Sequence, residues 1–127
     1  MTTKELLERA LRIEEKEYGP SHREVAKTLA NLGNAHGALG DAVKQKELLE
    51  RALRIKEKEY GPDHREVAIT KFNLAMAHAE CANFETAMNM MQEAHAIFVA
   101  ANHPLAAQSR NALQHIADLA RHHFNFF

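Results

Sequence analysis

Apolar side chains near the start of the chain recur at spacings of three and four. Leu6, Leu7, Ala10, Leu11 and Ile13 fall on one face of a helix. The other positions carry mostly Glu, Arg and Lys. Glu5 with Arg9 and Glu8 with Arg12 stand four apart in the favourable order, each contributing about 0.3 kcal/mol to a solvated face. Tyr18-Gly19-Pro20 ends this helix, since glycine suits the left-handed residue past the last turn and proline cannot continue the ladder. Ser21-His22-Arg23-Glu24 then reads as a capping box, with Ser21 at the N-cap and Glu24 at the third helical position. A second helix follows, with Val25, Leu29, Leu32, Gly33 and His36 along one face, and it ends at Gly40. Asp41 caps the next helix, and Asn83 takes that role further on. Loops this short force neighbouring helices antiparallel. No segment alternates with period two, so the pattern predicts an all-α chain.

The pattern itself repeats. KELLERALRIEEKEYGPSHREVA at residues 4–26 returns as KELLERALRIKEKEYGPDHREVA at 46–68, shifted by 42 positions and changed only at Glu14/Lys56 and Ser21/Asp63. A second shift by 42 aligns Ala10, Ala52 and Ala94, then Ile13, Ile55 and Ile97, then Pro20, Pro62 and Pro104. Leu32, Leu74 and Ile116 also stay in register. A fixed period of this length signals stacked units, each unable to bury its apolar face alone. The expected organisation is an α-solenoid of about six helices: a helix at 4–18, repeats at 22–60 and 64–101, and a closing helix at 104–124. Gly33, Ala75 and Ala117 form one column of small residues, and Ala10, Ala52 and Ala94 another, which lets adjacent helices approach closely. Ala52→Leu is expected to overpack that seam at a cost of about 1–3 kcal/mol.

Composition narrows the function classes. With 46% apolar and 26% charged residues the chain is globular, and its formal charge of −1 offers no bulk attraction to nucleic acid or anionic lipid. Lys and Arg alternate with Glu instead of forming a basic stripe, so no nucleic-acid partner is expected. No run is long and apolar enough for a membrane span or signal peptide. Cys81 is the one cysteine; it reads as a small apolar side chain and fits a reducing, cytoplasmic setting.

Nine histidines raise the question of a metal. His115, Asp118 and His122 stand at i, i+3 and i+7 and could share a helix face, a geometry able to hold zinc. The repeat explains four of the others more simply. His22 and His64 sit in capping turns, while His36 and His78 occupy core positions. No H-E-x-x-H or cysteine-bearing pattern accompanies them, so neither a metal nor any other cofactor is expected. Glycine-rich phosphate loops, G-x-S-x-G and paired loop carboxylates are absent as well, which speaks against an enzyme, and a metal-dependent activity trails as the weakest reading.

The stretch VAKTLANLGNAHGALGDAVKQKELLERALRI resembles a tetratricopeptide repeat in the 42-residue form typical of kinesin light chains. The matching frame is Leu29, Leu32-Gly33, His36 in place of an aromatic, Gly40, Leu49 and Ala52. The next unit matches with Leu74-Ala75, His78, Ala87, Met91 and Ala94. Gln45 in place of a small residue, Lys71 in place of Leu and Ala82 in place of Gly depart from it. The resemblance implies a right-handed superhelix in which helices starting near His22 line the concave side and those starting near Asp41 the convex side. The first helix is then an outer one without its inner partner.

The resemblance further implies a protein-interaction module that binds an extended peptide on the concave face. Lys27, Ala30, Asn31, Asn34 and Gly37 would point there in one unit, and Ile69, Phe72, Asn73, Met76 and Glu80 in the next. Asn31 and Asn73 can both donate to and accept from a peptide backbone, gripping it without reading its sequence. His115 takes that place in the third unit. Ala30 and Phe72 sit where a clamp for a peptide carboxylate would need a second lysine, so Ile69, Phe72 and Met76 suggest apolar contact instead. The competing reading is a structural segment for spacing or self-assembly. Its basis is the pair of unmatched terminal helices, with the tail His123-Phe124-Asn125-Phe126-Phe127 adding aromatics at one end. Homo-oligomers would form by head-to-tail stacking or by a twofold meeting of like ends.

Overall fold

The computed structural model describes residues 1–125. Six helices follow one another: α1 (Thr3–Tyr18), α2 (Arg23–Ala38), α3 (Ala42–Tyr60), α4 (Arg65–Glu80), α5 (Phe84–Ala100) and α6 (Ala106–Asn125). Each packs on the next, and no strand occurs among the described residues. Helix α4 also touches both α2 and α6 directly, whereas α1, α3 and α5 do not touch one another. That asymmetry makes α2, α4 and α6 the crowded inner layer and spreads the other three over the outside, the curvature a solenoid needs.

The core is a chain of seams. Leu48 and Ala52 of α3 close against Val25, Leu29 and Leu32 of α2, with Leu7 and Leu11 of α1 covering the same cluster from the other side. Leu49 and Leu53 turn the other way and meet Val67 and Leu74 of α4. Farther on, Ala75 and Ala79 of α4, Ala87 and Met91 of α5, and Ala112 and Ile116 of α6 form one cluster. Every outer helix between two inner ones therefore presents two apolar faces. The small-residue columns do what their spacing suggests: Ala52, Ala75 and Ala94 have no exposed surface. Their terminal counterparts Ala10 and Ala117 stay half-buried.

The caps differ in detail from the sequence expectation. The N-cap residues of α2 and α4 are His22 and His64, not Ser21 and Asp63. Glu24 N–H donates to His22 Nδ1 at 3.1 Å and Glu66 N–H to His64 Nδ1 at 3.0 Å, so each Glu stands at the second helical position. Each ring is held by stacking 4.6 Å from Tyr18 or Tyr60 in the preceding helix, which a serine or aspartate could not match. His103 repeats the device before α6, accepting from Leu105 N–H at 3.1 Å. Asp41 caps α3 through Lys44 N–H, as expected. Asn83 occupies the N-cap of α5, but its side chain does not cap; it turns back to His78 at 3.3 Å.

The turns show where glycine is required. Gly19 and Gly61 lie at φ +88° and +87° with ψ near 160°, a region essentially closed to other residues. Gly40 has φ +85°, and its counterpart Ala82 is held at φ +62° without glycine's freedom.

The expected pairs Glu5–Arg9 and Glu8–Arg12 give way to Lys4–Glu8 (4.0 Å) within α1 and to bridges between helices. Arg51 reaches Glu15 at 3.2 Å, and Arg23 reaches Glu59 at 3.9 Å. Exposed pairs are worth so little that other local partners displace them: Glu5 accepts from Thr2 Oγ1 at 3.2 Å, and Arg9 turns to Met1 Sδ at 3.6 Å. The Glu14/Lys56 difference between the copies also changes a seam. Glu14 accepts from Thr28 Oγ1 at 2.7 Å, whereas Lys56 pairs with Glu66 at 3.6 Å.

Candidate functional site

The inner layer carries four columns of side chains, related by the 42-residue shift. Lys27, Ile69 and Asn111 form one, and Ala30, Phe72 and Gln114 the second. Asn31, Asn73 and His115 form the third, and Asn34, Met76 and Asp118 the fourth. On α2 the polar members are open: Lys27, Asn31 and Asn34 are exposed. Asn34 is drawn toward α3, accepting from Gln45 Nε2 at 3.4 Å. Lys27 lines a separate cleft of about 320 Å³ with Arg23, Glu24, Lys56, Tyr60 and Glu66, at the opposite end of the helix.

On α4 the same positions are half-buried, and of them Asn73 alone is polar. Ile69 and Phe72 pack against the cluster of Ala68, Ala94 and Phe98, joined by Leu105 and Ala106 from the approach to α6. Phe72 also reaches the neighbouring cluster around Ala75 and Ile116, so its ring bridges the two. Of the expected residues Asn31 is exposed, while Ile69, Phe72, Asn73 and Met76 are all half-buried.

Met76 opens onto a groove of about 450 Å³ between the C-terminal half of α4 and the last turns of α6. Its apolar floor is Met76, Ala79 and Leu119, with Glu80 and His115 at the rim and Phe84 closing one end. Phe84 is contacted in turn by the rings of His123 and Phe124, at 5.3 and 6.3 Å. Phe126 and Phe127, expected to enlarge that apolar end, lie outside the described residues. Leu119 was not foreseen as a site residue; its signal is an apolar position one turn beyond His115 on the face that α4 leaves open.

His78 and His95 are drawn into the packing between helices. His78 is buried with Nε2 3.6 Å from Glu50. Burial lowers its pKa below the ordinary imidazole value, with Glu50 opposing the shift and Lys46 adding to it. His95 Nδ1 lies 2.6 Å from the fully buried Ser109 hydroxyl, which also bonds to the Ala106 carbonyl at 3.0 Å. One period earlier this pair is Leu53 and Val67, so a polar contact has replaced an apolar one in the α5–α6 seam. Asp118 is engaged by Gln114 at 3.0 Å and by Arg121, and no cluster of three metal-ligating side chains exists among the described residues. No helix among them is long and apolar enough to cross a membrane.

Two family models, both described as tetratricopeptide repeat, match residues 46–100 and 25–66. Two solved structures of a Podosopora anserina protein described as a kinesin light chain with nearly identical TPR-like repeats, one carrying a single substitution, superpose on this chain with a TM-score of 0.84. Sequence identity to each is 24%, and the superposition covers 91% of this chain and 56% of theirs, so the chain spans little more than half their length. No curated protein sequence matches it.

Proposed function

Because the chain belongs to the tetratricopeptide repeat family, whose repeats are generally protein–protein interaction modules, we propose that it binds an extended peptide segment of a partner protein across α2, α4 and α6. The observation that supports this reading is the groove lined by Met76 and Leu119 on the inner helices, with Asn31 exposed and Asn73 half-buried at equivalent inner-helix positions. The two amides grip backbone N–H and C=O groups, and the groove takes one apolar side chain. Glu80 at its rim favours a basic residue next to that side chain. Lys27 and Asn34 add polar contacts on α2, and Ile69 and Phe72 add apolar contact in the middle of the groove. The interaction is a docking event, with no chemistry performed on the peptide.

A displayed library of random peptides selects ligands, and fluorescence anisotropy then measures their affinity. Asn31→Ala with Asn73→Ala weakens binding at least about tenfold, since two backbone-directed hydrogen bonds are lost. Met76→Glu removes the preference for an apolar side chain. Affinity unchanged in all three substitutions combined, with the helical signal intact, would place the ligand elsewhere.

A further inference from the structure

A cleft of about 550 Å³ opens between the turn that joins α1 to α2 and the outer helix α3, and none of the inner-layer columns lines it. Pro20 and Ile55 give it an apolar wall. Arg51, Arg54 and Lys58 bring three cations to it against the single carboxylate of Glu59, and Ser21 adds a hydroxyl. The 42-residue shift carries this cleft onto another of about 630 Å³, between the α3–α4 turn and α5, walled in the same way by Pro62 and Ile97. There the charge is reversed. Ser21 becomes Asp63, Arg51 becomes Glu93, and Arg54 and Lys58 become Ala96 and Ala100. The cation that lines the second cleft, Lys71, is held by Glu93 at 2.6 Å. The repeat makes the cleft; the side chains on α3 make the first one a place for an anion.

The charges of the first cleft are unequally engaged. Arg51 donates to Glu15 at 3.2 Å, and Glu59 turns to Arg23 at 3.9 Å. Arg54 and Lys58 are exposed and form no ion pair or side-chain hydrogen bond among the described residues. They stand four apart on one face of α3, where like charges repel and cost a helix stability until an anion comes between them. At about 1.5 Å of rise per residue, their positions lie about 6 Å apart along the helix. Side chains two positions apart in an extended peptide point the same way and stand about 6.6 Å apart.

We propose that this cleft docks an extended acidic segment of a partner protein, in which two carboxylates separated by one residue pair with Arg54 and Lys58. Glutamate suits it better than aspartate, because its methylenes can lie against Pro20 and Ile55 while the carboxylate reaches the cation. The Ser21 hydroxyl donates to a carbonyl of the segment's backbone. A nucleic-acid strand would need a longer run of cations, whereas here Glu15 and Glu59 interrupt the basic surface.

Exposed ion pairs are individually weak, so a short segment should bind with a Kd on the order of 1 mM, a range suited to an NMR titration of the isotopically labelled chain. The probe is a capped peptide of glycine and serine carrying two glutamates on either side of a central serine. Saturable shifts are expected at the amides of Ser21 and of Arg54 through Lys58, with several-fold weaker binding of an isomer whose glutamates are adjacent. Arg54→Ala with Lys58→Ala should weaken binding at least about tenfold with the helical signal unchanged. The same variant should keep its affinity for peptides that bind the inner helices, so this site and that one stand or fall separately. No saturable shift at ten times the expected Kd, or equal binding of the two isomers, would overturn the proposal. Equal shifts with inorganic phosphate would make the cleft a small-anion site, and tighter binding of a single-stranded oligonucleotide would make its partner a nucleic acid; either result would overturn it as well.

Discussion

Gly37 and Gln45 form a size-matched pair, and exchanging their volumes measures how tightly a seam is specified. A Cβ added at Gly37 would fall 2.5 Å from Gln45 Cδ and Oε1. Those atoms are the end of a flexible side chain, so the amide must swing away. It then leaves its 3.4 Å bond to Asn34 and adopts a poorer rotamer, costing about 0.5–1.5 kcal/mol. Against this, Gly→Ala inside a helix gains about 0.5–1 kcal/mol, and Gly37 is not among the positive-φ residues. The two effects nearly cancel, and Gly37→Ala alone should shift stability by less than about 0.5 kcal/mol. Gln45→Ala alone leaves a gap over the glycine and should be neutral or mildly destabilising. The double substitution recreates the Ala79–Ala87 pair, which is fully packed one period later, and should stabilise by about 1 kcal/mol. Urea denaturation followed by circular dichroism gives the four stabilities of the cycle at constant protein concentration. Additivity within about 0.3 kcal/mol, or a double variant no more stable than the parent, would show that the two residues do not share this space.

Three further predictions follow from particular residues. His78 is buried and its pKa is lowered, so the unfolded chain takes up its proton before the folded one does. Its contribution to stability is complete above the ordinary imidazole pKa of about 6.5 and declines as pH falls through the folded value. His78→Phe should flatten that part of a plot of stability against pH; an unaltered slope would refute the assignment. Ala82→Gly relieves a left-handed alanine and should raise stability by about 1 kcal/mol in the same urea assay, whereas Gly61→Ala should lower it by more. His95→Leu with Ser109→Val restores the apolar pair found at Leu53 and Val67 and should leave stability equal or higher. Either single substitution should cost about 1–3 kcal/mol by stranding its buried or half-buried partner, and a neutral His95→Leu would show the hydrogen bond to be dispensable.

Helix positions, the 42-residue period and the alternation of two helix types were all legible from spacing, because each follows from contacts within a few turns. Glycine at residues 19, 40 and 61 marked the turns for the same local reason: a positive φ tolerates little else. The caps were only half legible. Ser21 and His22 are adjacent acceptors of similar local merit, and the choice fell to the ring of Tyr18, which stacks on His22 across the Gly19-Pro20 turn. The candidate site was legible as a set of columns but not as a surface. Asn31 stayed exposed, whereas Ile69 and Phe72 are half-buried against a cluster that Ala106 of α6, more than thirty residues away along the chain, helps to complete. Leu6 and Leu48 make the division plainest, since they sit in identical sequence and differ tenfold in exposure. Local sequence determines which faces are apolar. Whether a face is covered depends on what packs against it, and that is a property of the tertiary structure alone.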